Sequence, residues 1–266
     1  MAKRDPLLPH QPRKRFGQNF LHDGNIIDKI VRSVSAKVGE HIVEIGPGKG
    51  AITEGLIKTG AKLDVIELDR DLIPWLKLQF GLQPQFNIIS ADALTVDFGE
   101  LAEDKPLRIV GNLPYNISTP LIFHLLSFRE HVEDMHFMLQ KEVVDRMAAV
   151  PGTKAWGRLG IMVQYYCEVQ PLFPVPPGCF NPPPKVNSAV VRLKVRDKPQ
   201  HEAKNAATLE RVVAIAFQQR RKTLRNALMS LASEQQLASA EIDSKLRPEN
   251  LSLEDFVRLA NKLDEI

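Results

Sequence analysis

Apolar positions recur along residues 24–35 (GNIIDKIVRSVS) at helical spacing. Ile26, Ile27, Ile30, Val31 and Val34 share one stripe, which predicts an amphipathic helix. Short apolar runs follow at 41–45 (HIVEI), 62–67 (KLDVIE), 86–90 (FNIIS), 107–111 (LRIVG) and 133–139 (EDMHFML), and each reads as a strand. Helical patterns lie between them, around 50–59, 70–80, 118–128 and 141–149. Ser118-Thr119-Pro120 predicts a helix start in which a hydroxyl cap precedes a proline in the first turn. Strands alternating with helices predict an α/β fold whose mostly parallel sheet is covered on both faces.

The pattern changes after about residue 157. A helix through Leu159–Tyr165 and a strand near 166–173 lead into a Pro-rich loop, VPPGCFNPPPKV. A period-2 strand follows, with Ala189, Val191, Leu193 and Val195 on one side and Val190, Arg192, Lys194 and Arg196 on the other. Residues 197–206 read as a polar linker. Helical patterns then cover Leu209–Phe217, Thr223–Ala232 and Ser252–Leu263, the last with Ser252 and Asp255 spaced as a capping box. The expected organisation is a basic arm over 1–15, an α/β domain over 16–196, a linker over 197–206 and a small all-α domain over 207–266.

Composition narrows the class. The chain has 266 residues, 44% apolar and 25% charged, which is ordinary globular composition. No run of 18 apolar residues predicts a membrane span, and residues 1–16 lack the apolar core of a signal peptide. Cys167 and Cys179 are the only cysteines, so a reducing, cytoplasmic setting is expected and no disulfide scaffold. The seven histidines show no ligand spacing, and no metal is expected. The net charge of +3 has a definite location. Residues 1–20 carry +4, from Lys3, Arg4, Arg13, Lys14 and Arg15 against Asp5, while the rest of the chain is close to balanced. A basic arm on a neutral body points to a polyanionic partner.

Candidate chemistry begins at Glu44-Ile45-Gly46-Pro47-Gly48-Lys49-Gly50, placed after a strand and before a helix. Gly46 and Gly48 let the chain turn sharply and bring backbone close to a ligand. Glu67 ends the next strand and can accept from both hydroxyls of a ribose. Gly46, Gly48 and Ala51 also satisfy a dinucleotide fingerprint, so this segment alone leaves the cofactor open. Asp92 follows the third strand and Asn112 the fourth, each one βα unit further on. In a parallel sheet all of them emerge at the same carboxyl edge. A glycine loop with two acids, and no lysine placed as in a Walker loop, suits S-adenosylmethionine, a sulfonium cation without phosphates. Glu67 would hold its ribose and Asp92 its adenine amino group.

Asn112-Leu113-Pro114-Tyr115 is the most specific motif. An exocyclic base amine is a poor nucleophile because its lone pair is delocalised into the ring. The Asn112 side-chain oxygen and the Leu113 or Pro114 carbonyl can accept from that amine, drawing its nitrogen towards tetrahedral geometry for in-line attack on a methyl carbon. Proximity supplies much of the remaining rate. Tyr115 can stack on the base, worth roughly 1–3 kcal/mol.

On these motifs the chain resembles the ribosomal RNA adenine N6,N6-dimethyltransferase family. The likeness runs from about Arg13 to the C-terminus. It includes Arg13–Leu21 (RKRFGQNFL), Glu44–Gly48, Val65–Asp69 (VIELD), Gly111–Thr119 (GNLPYNIST), Phe180–Val186 (FNPPPKV) and Gln219–Asn226 (QRRKTLRN). The resemblance implies a Rossmann-like class I methyltransferase domain using S-adenosylmethionine, with a C-terminal domain that binds RNA or the ribosome. It implies that Asn19 and Leu21 close over the methionine end of the cofactor, and that Gly46, Glu67, Asp92 and Asn112 bind it. It places Phe180 opposite Tyr115 across a flipped adenine. Taken by itself, Phe180 is an aromatic on a stiff turn, equally suited to anchoring a core.

The implied activity is dimethylation of two adjacent adenines in the 3′-terminal hairpin loop of small-subunit rRNA, within an immature 30S particle, by a monomer. Lys185, Arg192, Lys194 and Arg196 form one cluster without an intervening acid, and Arg220, Arg221, Lys222 and Arg225 form another. Phosphate contacts from these and from Arg13, Lys14 and Arg15 would give steeply salt-dependent binding. Other readings stay open at this point. They are an assembly checkpoint in which methylation is secondary, a large-subunit rRNA methyltransferase, and, more remotely, a nicotinamide dehydrogenase or a DNA adenine methyltransferase.

Overall fold

The structure, a computed structural model, describes residues 18–219 and 221–265. Two compact units emerge, the first from residues up to 144 together with 170–195, the second from 145–169 together with 196–266.

The first unit is built on parallel strands β2 (His41–Ile45), β3 (Lys62–Ile66), β4 (Phe86–Ile89), β5 (Leu107–Asn112) and β6 (Val132–Gln140). β9 (Ser188–Val195) runs antiparallel to β6, and β7 (Cys167–Val175) lies beyond it, giving the order β4-β3-β2-β5-β6-β9-β7. The strand order reverses between β2 and β5, because the chain moves outward through β3 and β4 and then returns to β2's other side. In open α/β sheets that reversal leaves a crevice at the carboxyl ends of the two strands. A separate two-stranded sheet joins β1 (Phe20–Leu21) to β8 (Phe180–Asn181).

Helices α1 (Gly24–Val34), α2 (Thr53–Ile57), α3 (Ile73–Phe80), α4 (Phe98–Ala102) and α5 (Ser118–Ser127) connect the strands, and α6 (Lys141–Met147) follows β6 directly. α1 is the helix predicted over 24–35. Asp23 caps it by accepting from the Ile26 N–H at 3.0 Å, and Ile30 and Val34 enter the core. β2 is buried over all five residues, so its two polar side chains must be satisfied internally. His41 Nε2 meets Asp64 Oδ2 at 2.6 Å, and Thr53 Oγ1 donates to Glu44 at 2.6 Å. On β6, Asp134 is fully buried and accepts from Arg108 (2.9 and 3.0 Å) and Arg192 (3.0 Å).

Several expectations change. Ser118 is the first residue of α5 rather than its cap. Ile117 holds the cap position without a side-chain bond, and the Ser118 hydroxyl donates to the Tyr115 carbonyl at 3.2 Å. α4, in the crossover before β5, was not anticipated because five residues are too few to show a period. Residues 16–196 are not one uninterrupted domain, since 145–169 group with the C-terminal segment. The reason is burial: helix α7 (Arg158–Tyr166) is buried at almost every position and packs against α8 (Ala206–Gln218) and α11 (Leu253–Leu263). The Trp156 indole, also buried, donates to the Leu251 carbonyl at 2.8 Å.

Residues 197–206 are not a free linker either. The Tyr165 hydroxyl accepts from the Ala203 N–H, and Asn261 Oδ1 from the Lys204 N–H at 2.7 Å. The helix expected over 223–232 is only α9 (Leu224–Ala227), and α10 (Glu234–Ser239) starts at a capping box of Ser233 and Gln236. The capping box of Ser252 and Asp255 opens α11 as its spacing predicts.

Candidate active site

One cavity opens at the carboxyl edge of the first unit. Its wall includes Asn19 and Leu21, Gly46 and Gly48, Glu67, Asp92, Asn112 to Tyr115, and Phe180. Every cofactor-binding and catalytic residue expected from the sequence therefore lies on a single cavity.

The glycine loop leaves β2 with φ of +68° at Gly46 and +58° at Gly48, where a side chain would be strained. A Cβ at Gly48 would also come within 3.1 Å of the Phe20 ring. Glu67 is 6% exposed and braces this loop. Its carboxylate accepts from the Gly48 N–H at 3.2 Å and from the Asp69 N–H at 2.8 Å. Burial pushes its pKa up to about 7 against those hydrogen bonds. Glu44, fully enclosed beneath the loop, is likewise raised to about 7 by burial, with the Thr53 hydroxyl opposing.

Asp92 caps a short 3₁₀ turn by accepting from the Leu94 N–H at 3.0 Å, and this fixes its carboxylate at the cavity wall. Asn112 ends β5. Its Nδ2 donates to the Asn19 carbonyl at 3.2 Å, which leaves Oδ1 as the free acceptor of the amide. The chain then turns tightly: the Leu113 N–H donates to Met138 and the Ile117 N–H to Pro114. Tyr115, at the crest of that turn, shares a hydrogen bond of 3.0 Å with the Ser188 hydroxyl. Phe180 lines the cavity but is only 3% exposed and belongs to the core cluster with Leu21. It thus serves as a core anchor as well as part of the wall.

Sequence reasoning assigned no role to Glu44, Gln18, Asp69 or Ser188. Glu44 was visible inside the glycine motif, but nothing in the pattern showed that its side chain meets Thr53. Gln18 Nε2 donates to Asp69 Oδ2 at 3.0 Å, tying the segment before β1 to the end of β3. That contact spans 51 positions and leaves no local signal.

The proposed RNA contacts fare unevenly. Lys185, Arg221, Lys222 and Arg225 are exposed. Arg13, Lys14, Arg15 and Arg220 lie outside the described residues. Arg192 is corrected: its guanidinium is committed to Asp134, so it is not a free phosphate ligand.

Comparison with known proteins follows the same line. Residues 9–265 match the family described as ribosomal RNA adenine dimethylase. A protein of Pseudomonas aeruginosa named ribosomal RNA small subunit methyltransferase A is 60% identical, covering 98% of this chain and 97% of its own. One of the same name from Hahella chejuensis is 57% identical, covering 98% and 96%. Among solved structures, a dimethyladenosine transferase from Plasmodium falciparum superposes with a TM-score of 0.75 at 27% identity, covering 90% of this chain and 95% of its own. The 23S rRNA methyltransferase ErmE superposes at 0.72 with 25% identity, covering 92% and 100%. With a glycine loop, two acids and an Asn-Leu-Pro-Tyr turn converging on one cavity, and a match over nearly its whole length, the chain belongs to the ribosomal RNA adenine dimethylase family.

Proposed function

We propose that this enzyme transfers methyl groups from S-adenosylmethionine to N6 of two adjacent adenines in the 3′-terminal hairpin loop of small-subunit rRNA. Its substrate is the immature 30S particle in the cytoplasm, and it acts as a monomer. The observation that carries the reading is the orientation of Asn112, whose amide nitrogen is spent on Asn19 while its oxygen is left to accept from a base amine.

The cavity fits the cofactor by the chemistry of its donors and acceptors. The Gly48 N–H already donates to Glu67, so a carboxylate occupies the place where a pyrophosphate would need donors. A ribose diol and a cationic sulfonium suit that charge, and a dinucleotide does not. Glu67 would hold the ribose hydroxyls and Asp92 the adenine amine. Leu21, held on the β1–β8 sheet, and Asn19, just before it, would cover the methionine end. When bound, the cofactor supplies a methyl group made electrophilic by the positive sulfur.

The chain's own part is positioning. Asn112 Oδ1 and a carbonyl of the Leu113–Pro114 turn accept the two N–H groups of the adenine, localising the nitrogen lone pair. Tyr115 stacks on the flipped base, with Phe180 forming the facing wall. After one transfer the amine retains an N–H and its nucleophilicity, so a second can follow.

The ErmE superposition keeps a large-subunit substrate as the competing reading, because the same cavity would serve it. Relatives near 60% identity with small-subunit names favour the first. The test incubates the protein with labelled S-adenosylmethionine and either unmethylated small subunits or large-subunit RNA, then maps the label by mass spectrometry. Label in two adjacent small-subunit adenines is expected. Label confined to large-subunit RNA overturns the substrate, and absence of adenine label with folded, cofactor-bound protein overturns the reaction. Glu67→Ala in cells separates the checkpoint reading: normal subunit maturation without methylation would make binding the main role.

A further inference from the structure

Stacking on a base requires a ring held in one place. Tyr115 sits in a tight turn, and a tyrosine there can swing about its first side-chain torsion unless its tip is tied. Its backbone is secured by the Ser118 hydroxyl at 3.2 Å. Its tip is secured from elsewhere in the fold, by the hydroxyl of Ser188 at 3.0 Å.

Ser188 is well placed to act as a fixed point. It is the first residue of β9 and 1% exposed, and it stands opposite Gln140 in the β6–β9 register. The next backbone tie, from the Lys141 N–H to the Asn187 carbonyl at 2.9 Å, clamps the residue before it. The serine therefore belongs to the sheet and not to a loose loop. It also ends the Pro-rich segment that begins at Phe180, so one short stretch supplies an aromatic wall of the cavity at its start and the tie to Tyr115 at its end.

We infer that Ser188 is a positioning residue for methyl transfer: its hydroxyl holds the tip of Tyr115, so that the ring axis points one way and the ring stays where the target base must lie. This rests on the stacking role of Tyr115 proposed above. Ser188 does not touch the reacting atoms, and its effect passes through the tyrosine. The inference predicts a loss in turnover without a loss in cofactor affinity, and dependence on the phenolic hydroxyl.

The experiment compares wild type, Ser188→Ala, Tyr115→Phe, the double variant and Tyr115→Ala. Methyl transfer is measured on unmethylated small subunits, S-adenosylmethionine affinity by calorimetry, and folding by thermal melting. Ser188→Ala and Tyr115→Phe are each expected to lower kcat about fivefold to tenfold, the scale of one hydrogen bond. Cofactor affinity should be unchanged, and the double variant no worse than either single one, since both remove the same bond. Unchanged kcat in either single variant, or additive losses in the double, overturns the inference. If Ser188→Ala does not fold, Tyr115→Phe decides alone, because it deletes the same bond from the partly exposed side. Tyr115→Ala separates the two layers: full activity there removes the stacking reading itself, whereas its failure beside an active Tyr115→Phe removes only the role of Ser188.

Discussion

At the scale of single residues, the site works through committed hydrogen bonds. Glu67 is held by two backbone N–H groups yet is raised to about 7 by burial. To accept from ribose hydroxyls it must be ionised, so cofactor affinity should weaken as pH falls below about 7 and level off above it. Titration calorimetry from pH 5.5 to 8.5 checks this, and Glu67→Gln, which cannot ionise, should bind more weakly and without that slope. Asp134 is the opposite case. Burial acts to raise its pKa, but Arg108 and Arg192 outweigh it and hold the carboxyl below its usual range. Asp134→Ala would leave two cations facing a buried gap. A cost of about 3–5 kcal/mol is expected, read by denaturant unfolding.

At the scale of elements, the β1–β8 sheet is the unusual device. It joins the segment that would cover the cofactor to the loop carrying Phe180, by pairing Phe20 with Asn181 and Leu21 with Phe180. The His22 N–H extends the pairing to the Cys179 carbonyl at 3.0 Å. The glycine loop lies so close to it that a methyl group at Gly48 would push against the Phe20 ring. Gly48→Ala combines a left-handed backbone with a Cβ 3.1 Å from Phe20. It should cost about 1–2 kcal/mol of stability. It should also weaken cofactor binding more than tenfold by calorimetry, because Phe20 and the loop must separate.

For the molecule as a whole, the proposed encounter with RNA rests on charge outside the cavity. Arg221, Lys222 and Arg225 are exposed in the helical unit, and the 3.5 Å pair of Arg225 with Glu234 is too solvated to hold it. Changing all three to Ala should weaken small-subunit binding and flatten its salt dependence by about one slope unit for each phosphate left unneutralised. Cofactor affinity should not change. Sensitivity to acid has a separate source in His136, buried in β6 with its pKa pushed down to about 4 by burial. The unfolded chain binds that proton at about 6.5. Its contribution is therefore complete above that pH and lost as pH falls towards 4. His136→Leu should lose less stability than wild type over that interval, as thermal melts at stepped pH would show.

Apart from α4 and the two-residue strands β1 and β8, the order of strands and helices in the first unit was legible along the chain, as were the glycine loop, the Glu67–Asp92–Asn112 row and the Asn-Leu-Pro-Tyr turn. Each is a local signal: a period, a turn chemistry or one βα interval. What the chain could not reveal were pairings between distant segments. The grouping of 145–169 with the C-terminal helices depends on which apolar faces meet, and apolar faces carry no address. Arg192 looked like a free cation until Asp134, 58 positions away, was found beside it. The Asn112 motif named an acceptor, but only the Asn19 carbonyl decided which end of the amide faces the cavity. Local sequence specifies backbone conformation and the chemical groups on offer. Folding specifies which of those groups are already satisfied, and the ones left unsatisfied at the sheet's carboxyl edge are what remain for chemistry.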